Sequence, residues 1–136
     1  MAICYTDSLD RIDASMLNAF FEGWQLPPSP EEHMRILKGS QHVVLAVDDS
    51  CRRVIGFITA ITDGCHSASI PLLEVLVAYR RQGIGRELVM RMLQALRDYR
   101  CIDLTCDPAL QPFYETCGML KSVGMAVRDY TRTGRE

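Results

Sequence analysis

Apolar positions change their period several times along the chain, and each change marks an element. Residues 1–5 read as a short first strand. From Asp10 onward, Ile12, Met16, Leu17, Phe20 and Phe21 recur at helical spacing with Gly23 as a stop, which predicts a first helix. The Leu-Pro-Pro-Ser-Pro stretch at 26–30 interrupts it. Ser29, followed by Pro30, Glu31 and Glu32, combines a hydroxyl cap, a first-turn proline and acids at the positive helix end, and predicts a second helix to Gly39. Residues 43–47 then read as a buried strand, Asp48, Asp49 and Ser50 as a turn, and residues 54–61 as the antiparallel partner ending at Asp63 and Gly64. Residues 69–79 form a third run, with Pro71 near its start, where a missing ladder donor is tolerated. Ile84, Leu88, Met92, Leu96 and Tyr99 step by helical intervals and predict an amphipathic helix over 83–99. A strand at 101–106, a short helix at 108–117 closed by Gly118, and an extended pair about Gly124 over 119–130 complete the chain. The order βααβββαβαβ(β) implies an α+β fold, a mixed and largely antiparallel central sheet flanked by helices, in one domain over 1–136.

Composition narrows the function. The 136 residues, 48% apolar and 24% charged with a mean hydropathy of +0.01, suit one ordinary globular domain. Asp48, Glu74 and Arg80 break the apolar runs well short of the ~20 residues a membrane helix needs, and no basic start precedes an apolar stretch at the N-terminus. Cysteines 4, 51, 65, 101, 106 and 117 form no CxxC pair, and His33, His42 and His66 lie at no metal-ligand spacing from them. Reduced thiols, a cytoplasmic location and no metal are the expectation. A net charge of −2 argues against a nucleic-acid partner. The charge is uneven, −4 over residues 1–64 and +2 over 65–136. Between 80 and 100, Arg80, Arg81, Arg86, Arg91, Arg97 and Arg100 face only Glu87 and Asp98. A basic strip at a helix start suits an anionic ligand.

The chemistry concentrates in the turn Arg80-Arg81-Gln82-Gly83-Ile84-Gly85-Arg86, where the third run meets the long helix. Glycines there allow backbone N–H groups to converge at a helix N-terminus, where unpaired donors and the positive dipole end grip a diphosphate. A side chain at 83 or 85 is expected to obstruct the approach. No GK[ST] and no third glycine follow, so a P-loop and a dinucleotide fold fit less well.

Arg80, Gly83 and Gly85 after a hydrophobic strand, followed by helix, strand and Pro112-Phe113-Tyr114-Glu115-Thr116-Cys117-Gly118-Met119, resemble the GNAT superfamily of acetyl-CoA-dependent N-acyltransferases. The resemblance extends over nearly the whole element order, including two helices between the first and second strands. It implies acetyl-CoA as acyl-donor cosubstrate, a strand splayed from its neighbour with Val75, Leu76 and Val77 beside the thioester, and turn amides from Arg81 to Arg86 on the pyrophosphate. It also implies that Tyr114 lies near the sulfur and protonates the departing thiolate. A homodimer is a further implication. Val77 stands where many members have proline. Asp107 stands where many have a cofactor-contacting asparagine, and an ionised Asp cannot donate.

The reaction sets further demands. An alkylamine with a pKa near 10 must lose a proton before attacking a thioester. Glu74 interrupts Leu72-Leu73-Glu74-Val75-Leu76, where burial would raise its pKa toward a useful range, making it the candidate base. The backbone amide of Leu76 is the candidate donor to the oxyanion. Phe20, Phe21 and Trp24 either wall an acceptor pocket for an aromatic amine or belong to the core. No GxSxG elbow exists to form a hydrolase triad with the histidines, and Cys106, lacking an evident His partner, reads as a small hydrophobe. N-acetylation of a small-molecule or peptide amine is the leading reading. A non-catalytic acyl-CoA-binding sensor is the alternative.

Overall fold

The computed structural model describes residues 2–134. A five-stranded sheet runs in the order β1 (Ile3–Thr6), β2 (His42–Asp48), β3 (Arg53–Thr62), β4 (Ser67–Val75) and β5 (Cys101–Asp103). The first four strands pair antiparallel and β5 joins β4 in parallel, so the expected mixed, largely antiparallel sheet is present. Residue 1 of the expected first strand lies outside the described residues.

Helix α2 (Ile84–Ala95) covers one face of the sheet, burying Ile84, Leu88, Val89 and Met92, with Leu96 buried at its C-terminal cap. It sits close because Gly56 of β3 has no side chain: a Cβ there would lie 3.2 Å from Leu88 Cδ1. Helix α1 (Pro30–Gly39) lies on the other face, where His33 stacks edge-on to Phe57 of β3. The expected start of α1 is realised as a full capping box: the Glu32 N–H donates to Ser29 Oγ (3.1 Å) and the Ser29 N–H donates to Glu32 Oε1 (3.0 Å). Ser29→Ala is expected to lower folding stability by about 1 kcal/mol, read as the shift in urea midpoint at constant slope.

The expected first helix does not form. Among residues 10–23 only a single 3-10 turn, Ala14–Met16, is helical, capped by Asp13. Beyond it Ala19 (φ 70°) and Phe21 (φ 64°) take left-handed conformations that no α-helix admits. The apolar positions are nonetheless the right ones, since Met16, Leu17, Phe20 and Phe21 are all buried. They enter the core as the adjacent pairs 16–17 and 20–21, which the irregular path allows. One helix, not two, therefore separates β1 from β2.

The C-terminal part also differs. Strand β5 stops at Asp103, and the short helix divides into a 3-10 turn (Pro108–Leu110) and α3 (Gln111–Thr116). The expected extended pair over 119–130 has no strand partner among the described residues.

Candidate active site

Four consecutive backbone N–H groups, those of residues 83–86, donate no hydrogen bond among the described residues, and a turn at Arg80 and Arg81 leads into them. The first amide of α2 to find an acceptor belongs to Glu87, which donates to the Gly83 carbonyl (3.0 Å). Their convergence is a matter of local geometry. Arg81 (φ 63°) and Gly83 (φ 83°) are both left-handed, and Gly83 caps the helix without a side-chain hydrogen bond. This cradle carries the helix dipole and fits a diphosphate. The expected obstruction at 83 and 85 needs correcting for the protein alone. A Cβ on Gly83 would meet nothing within 4 Å, so its demand is conformational, and one on Gly85 would make ordinary contacts with Phe113 Cζ (3.6 Å) and Val75 Cγ2 (3.8 Å).

Beside the cradle the sheet opens. Strand β5 pairs with β4 only over Ser67, Ala68 and Ser69, and Pro71, which has no N–H to offer, sits in the β-bulge immediately beyond. From Ile70 to Val75 the outer edge of β4 has no strand neighbour among the described residues. The amide assigned to the oxyanion is not available, because the Leu76 N–H already donates to the Ile55 carbonyl on β3 (2.9 Å). Ladder alternation then turns the N–H and C=O of Val75 the other way, into the opening. The Val75 carbonyl accepts the Arg80 Nε–H (2.8 Å), so Arg80 folds back to brace the turn. Val77 is exposed in the 3-10 turn Val77–Tyr79 that links the opening to the cradle.

Glu74 is half-buried and its carboxylate accepts the Phe21 N–H at 3.0 and 3.3 Å. Burial raises its pKa above the usual carboxylate value, against the lowering effects of the Phe21 N–H and Arg80. Its side chain faces the sheet side that carries Phe57, opposite to Val75, so base candidate and cradle approach the opening from different faces. Glu22 is near enough to contribute to the upward shift. Phe20 and Phe21 are core residues boxing His33, whereas Trp24, half exposed, stacks on Phe21 at 4.9 Å.

Tyr114 lies on α3, half-buried against Phe113. Burial pushes its phenol up to about 12, with Cys106 and Cys117 adding to the effect, so it keeps its proton at any working pH. Phe113, in contact distance of position 85, and Arg86, whose Nη2 donates to the Thr116 carbonyl (3.3 Å), clamp α3 to the start of α2. Asp107 is exposed at the head of the preceding 3-10 turn, where its carbonyl accepts the Leu110 N–H (2.9 Å).

Three supports of the site carried no signal in the sequence. The Phe21 amide, on a residue with left-handed backbone, reaches Glu74 across 53 positions. Tyr79, just before the cradle, donates to buried Asp48 (2.7 Å), which also accepts from Ser50 Oγ and N; these bonds, Ser50 first, hold Asp48 at about 2, and the Tyr79 phenol rises to about 12. The third is the Arg86–Thr116 clamp.

Comparison with known proteins agrees with this geometry. A family model, the acetyltransferase (GNAT) family, matches residues 9–119. A protein of Deinococcus radiodurans R1 assigned as an acetyltransferase, solved at 1.19 Å, superposes with a TM-score of 0.92 at 41% identity, over 96% of this chain and 91% of that one. The fold also matches a glucosamine-6-phosphate N-acetyltransferase of Arabidopsis thaliana (TM-score 0.70, 15% identity, 94% and 99% covered). An aminoglycoside N-acetyltransferase solved in complex with CoA gives a TM-score of 0.63 at 12% identity, with 94% of each chain covered. Among curated proteins none matches by sequence. With a cradle of unaccepted amides at the start of α2, an opened β4 edge and a family match across most of its length, this chain belongs to the GNAT family and is an acetyltransferase that uses acetyl-CoA.

Proposed function

We propose that the chain moves the acetyl group of acetyl-CoA to a primary amine of a small molecule or peptide by direct attack in a ternary complex. The observation that carries this reading is a desolvated carboxylate, Glu74, on the same strand whose open edge leads to the cradle of amides 81–86. Acetyl-CoA supplies an acyl thioester. The amides 81–86 hold its pyrophosphate, and the strand edge at Val75, Leu76 and Val77 flanks the pantetheine arm. The Val75 N–H, aimed into the opening, replaces Leu76 as donor to the oxygen that gains negative charge.

Glu74 takes the proton of the incoming ammonium, so that the nitrogen lone pair can form the new C–N bond while the C–S bond breaks. Tyr114 donates a hydrogen bond to the sulfur as it leaves. With a phenol near 12 against about 8.5 for an alkyl thiol, it stabilises the departing thiolate by that bond and gives up no proton for good; the second proton, released by the nitrogen as the amide forms, ends on the sulfur, so that the products are a neutral amide and the CoA thiol. The carboxylates of Glu22 and Glu74, together with half-exposed Trp24, favour a cationic acceptor with an apolar body.

The test is release of CoA thiol from acetyl-CoA with a panel of polyamines, aralkylamines, amino acids and peptides. Turnover with cationic amines is expected; cofactor binding without turnover on any amine would identify a sensor instead. Glu74→Gln is expected to lower turnover by roughly 10²- to 10⁴-fold near neutral pH and to remove the acid limb of the kcat/KM profile, a limb lying above the usual carboxylate range because burial raises Glu74. The deficit narrows as pH approaches the amine pKa, where the acceptor arrives already neutral. An unchanged profile gives the base role to another group.

A further inference from the structure

We infer that His33 is a positioning residue for the acetyl transfer: its ring, closed into a box with Phe20, Phe21 and Phe57, holds the Phe21 N–H against the Glu74 carboxylate. That role rests on the reading of Glu74 as the base of the proposed reaction. His33 stands in the first turn of α1, 1% exposed, and both ring nitrogens are buried with no hydrogen-bond partner among the described residues. A polar ring so placed costs more than an apolar side chain of the same size, and filling space is not a sufficient reason for it.

What the ring gains is direction. Its centroid lies 4.3 Å from that of Phe57 at 60°, 4.8 Å from that of Phe21 at 64° and 5.2 Å from that of Phe20 at 84°. In such edge-on contacts the positive edge of one ring, an N–H included, meets the face of the next, which fixes tilt as well as distance. An aliphatic chain would fill the box and orient nothing.

Two of the three rings flank Glu74. Phe57 is its partner across β3 and β4, so the two side chains leave the same face of the sheet side by side, and Phe21 supplies the N–H that the carboxylate accepts at 3.0 and 3.3 Å. No helix or strand holds Phe21 in place. Between the 3-10 turn Ala14–Met16 and α1 the backbone is irregular, left-handed at Ala19 and again at Phe21, and its course depends on what its side chains pack against. His33 ties that segment to a helix whose start is fixed by the capping box of Ser29 and Glu32. Burial also holds the imidazole down to about 4, so the ring is uncharged at neutral pH. An imidazolium there would favour the ionised Glu74 and oppose the rise that burial gives its carboxyl.

His33→Leu and His33→Met refill the box without a flat ring and with volumes near that of the original. Each is expected to lower kcat roughly 10-fold while the acetyl-CoA Kd stays within about 3-fold, because a small misplacement of the base slows the chemical step and leaves the cofactor cradle untouched. Exchange of the Phe21 amide is expected to quicken by roughly 10-fold or more in both. In the Glu74→Gln background the same replacements should change kcat by less than about 2-fold, since a residue acting only through Glu74 has nothing left to position. A full penalty in that background, an unchanged kcat or an unchanged Phe21 exchange rate would each overturn the proposal, and His33→Met decides it where His33→Leu fails to fold. Failure of the base reading shows separately, as full turnover by Glu74→Gln alone, and removes the positioning role whatever the Phe21 amide does.

Discussion

Gly85→Glu is expected to abolish acetyl-CoA binding. At saturating ligand, 100 times Kd, the unaltered protein gains about 2.7 kcal/mol from binding to the folded state alone, which for a chain of this size is a rise in Tm of roughly 10 °C. The variant places a carboxylate beside amides 81–86, to which the proposed function assigns the pyrophosphate. A like charge facing a diphosphate costs several kcal/mol, so Kd should rise more than 10²-fold and the thermal shift vanish. Gly85→Ala supplies the control. A methyl there meets Phe113 and Val75 at ordinary contact distance, so the fold should keep its stability and much of its affinity. If Gly85→Glu folds and titrates with CoA as tightly as the parent, the pyrophosphate lies elsewhere.

Tyr114→Phe is expected to lower kcat by roughly 10- to 100-fold, with acetyl-CoA affinity held within a few-fold. The magnitude follows from what the hydroxyl can do. A phenol held near 12 is a poor acid toward a thiolate but a good hydrogen-bond donor to it, and a bond to a charged acceptor is worth about 1.5–3 kcal/mol. Packing against Phe113 survives because the ring is retained. Steady-state kinetics on any accepted amine, beside calorimetric titration with CoA, separates the outcomes. Intact turnover would make Tyr114 a packing residue, and lost affinity would place it on the pantetheine arm.

Much of the fold was legible in the sequence because its signals are local. The Ser29-Pro30-Glu31-Glu32 start of α1 needs only its own backbone, and the four-residue stepping from Ile84 to Leu96 marks the face that the sheet buries. Strands β2 and β3, apolar over residues 43–47 and 54–58, lie between two covering layers and read as buried runs for that reason. The cradle was legible too, since glycine at 83 meets a conformational need of the turn itself.

Where reading failed, the deciding contact was distant. Helical periodicity at residues 12–21 reported burial correctly and conformation wrongly: the bond from the Phe21 N–H to Glu74 and the left-handed Ala19 and Phe21 fix a path that no local propensity encodes. The Leu76 amide looked free because a strand's hydrogen-bond parity depends on register, and the bond to Ile55 shifts the open donor by one residue, to Val75. The extended pair expected about Gly124 over 119–130 finds no ladder among the described residues, because pairing depends on a partner strand that local sequence does not supply. The sequence by itself determined which side chains are apolar enough to bury, where the capped helix α1 begins and where glycine lets the turn before α2 take a left-handed path, because those follow from residue chemistry and near neighbours. Only the tertiary structure decided which backbone donor meets the Glu74 carboxylate, which amide faces the opening and which edge stays unpaired, because each depends on what residues dozens of positions away bring against it.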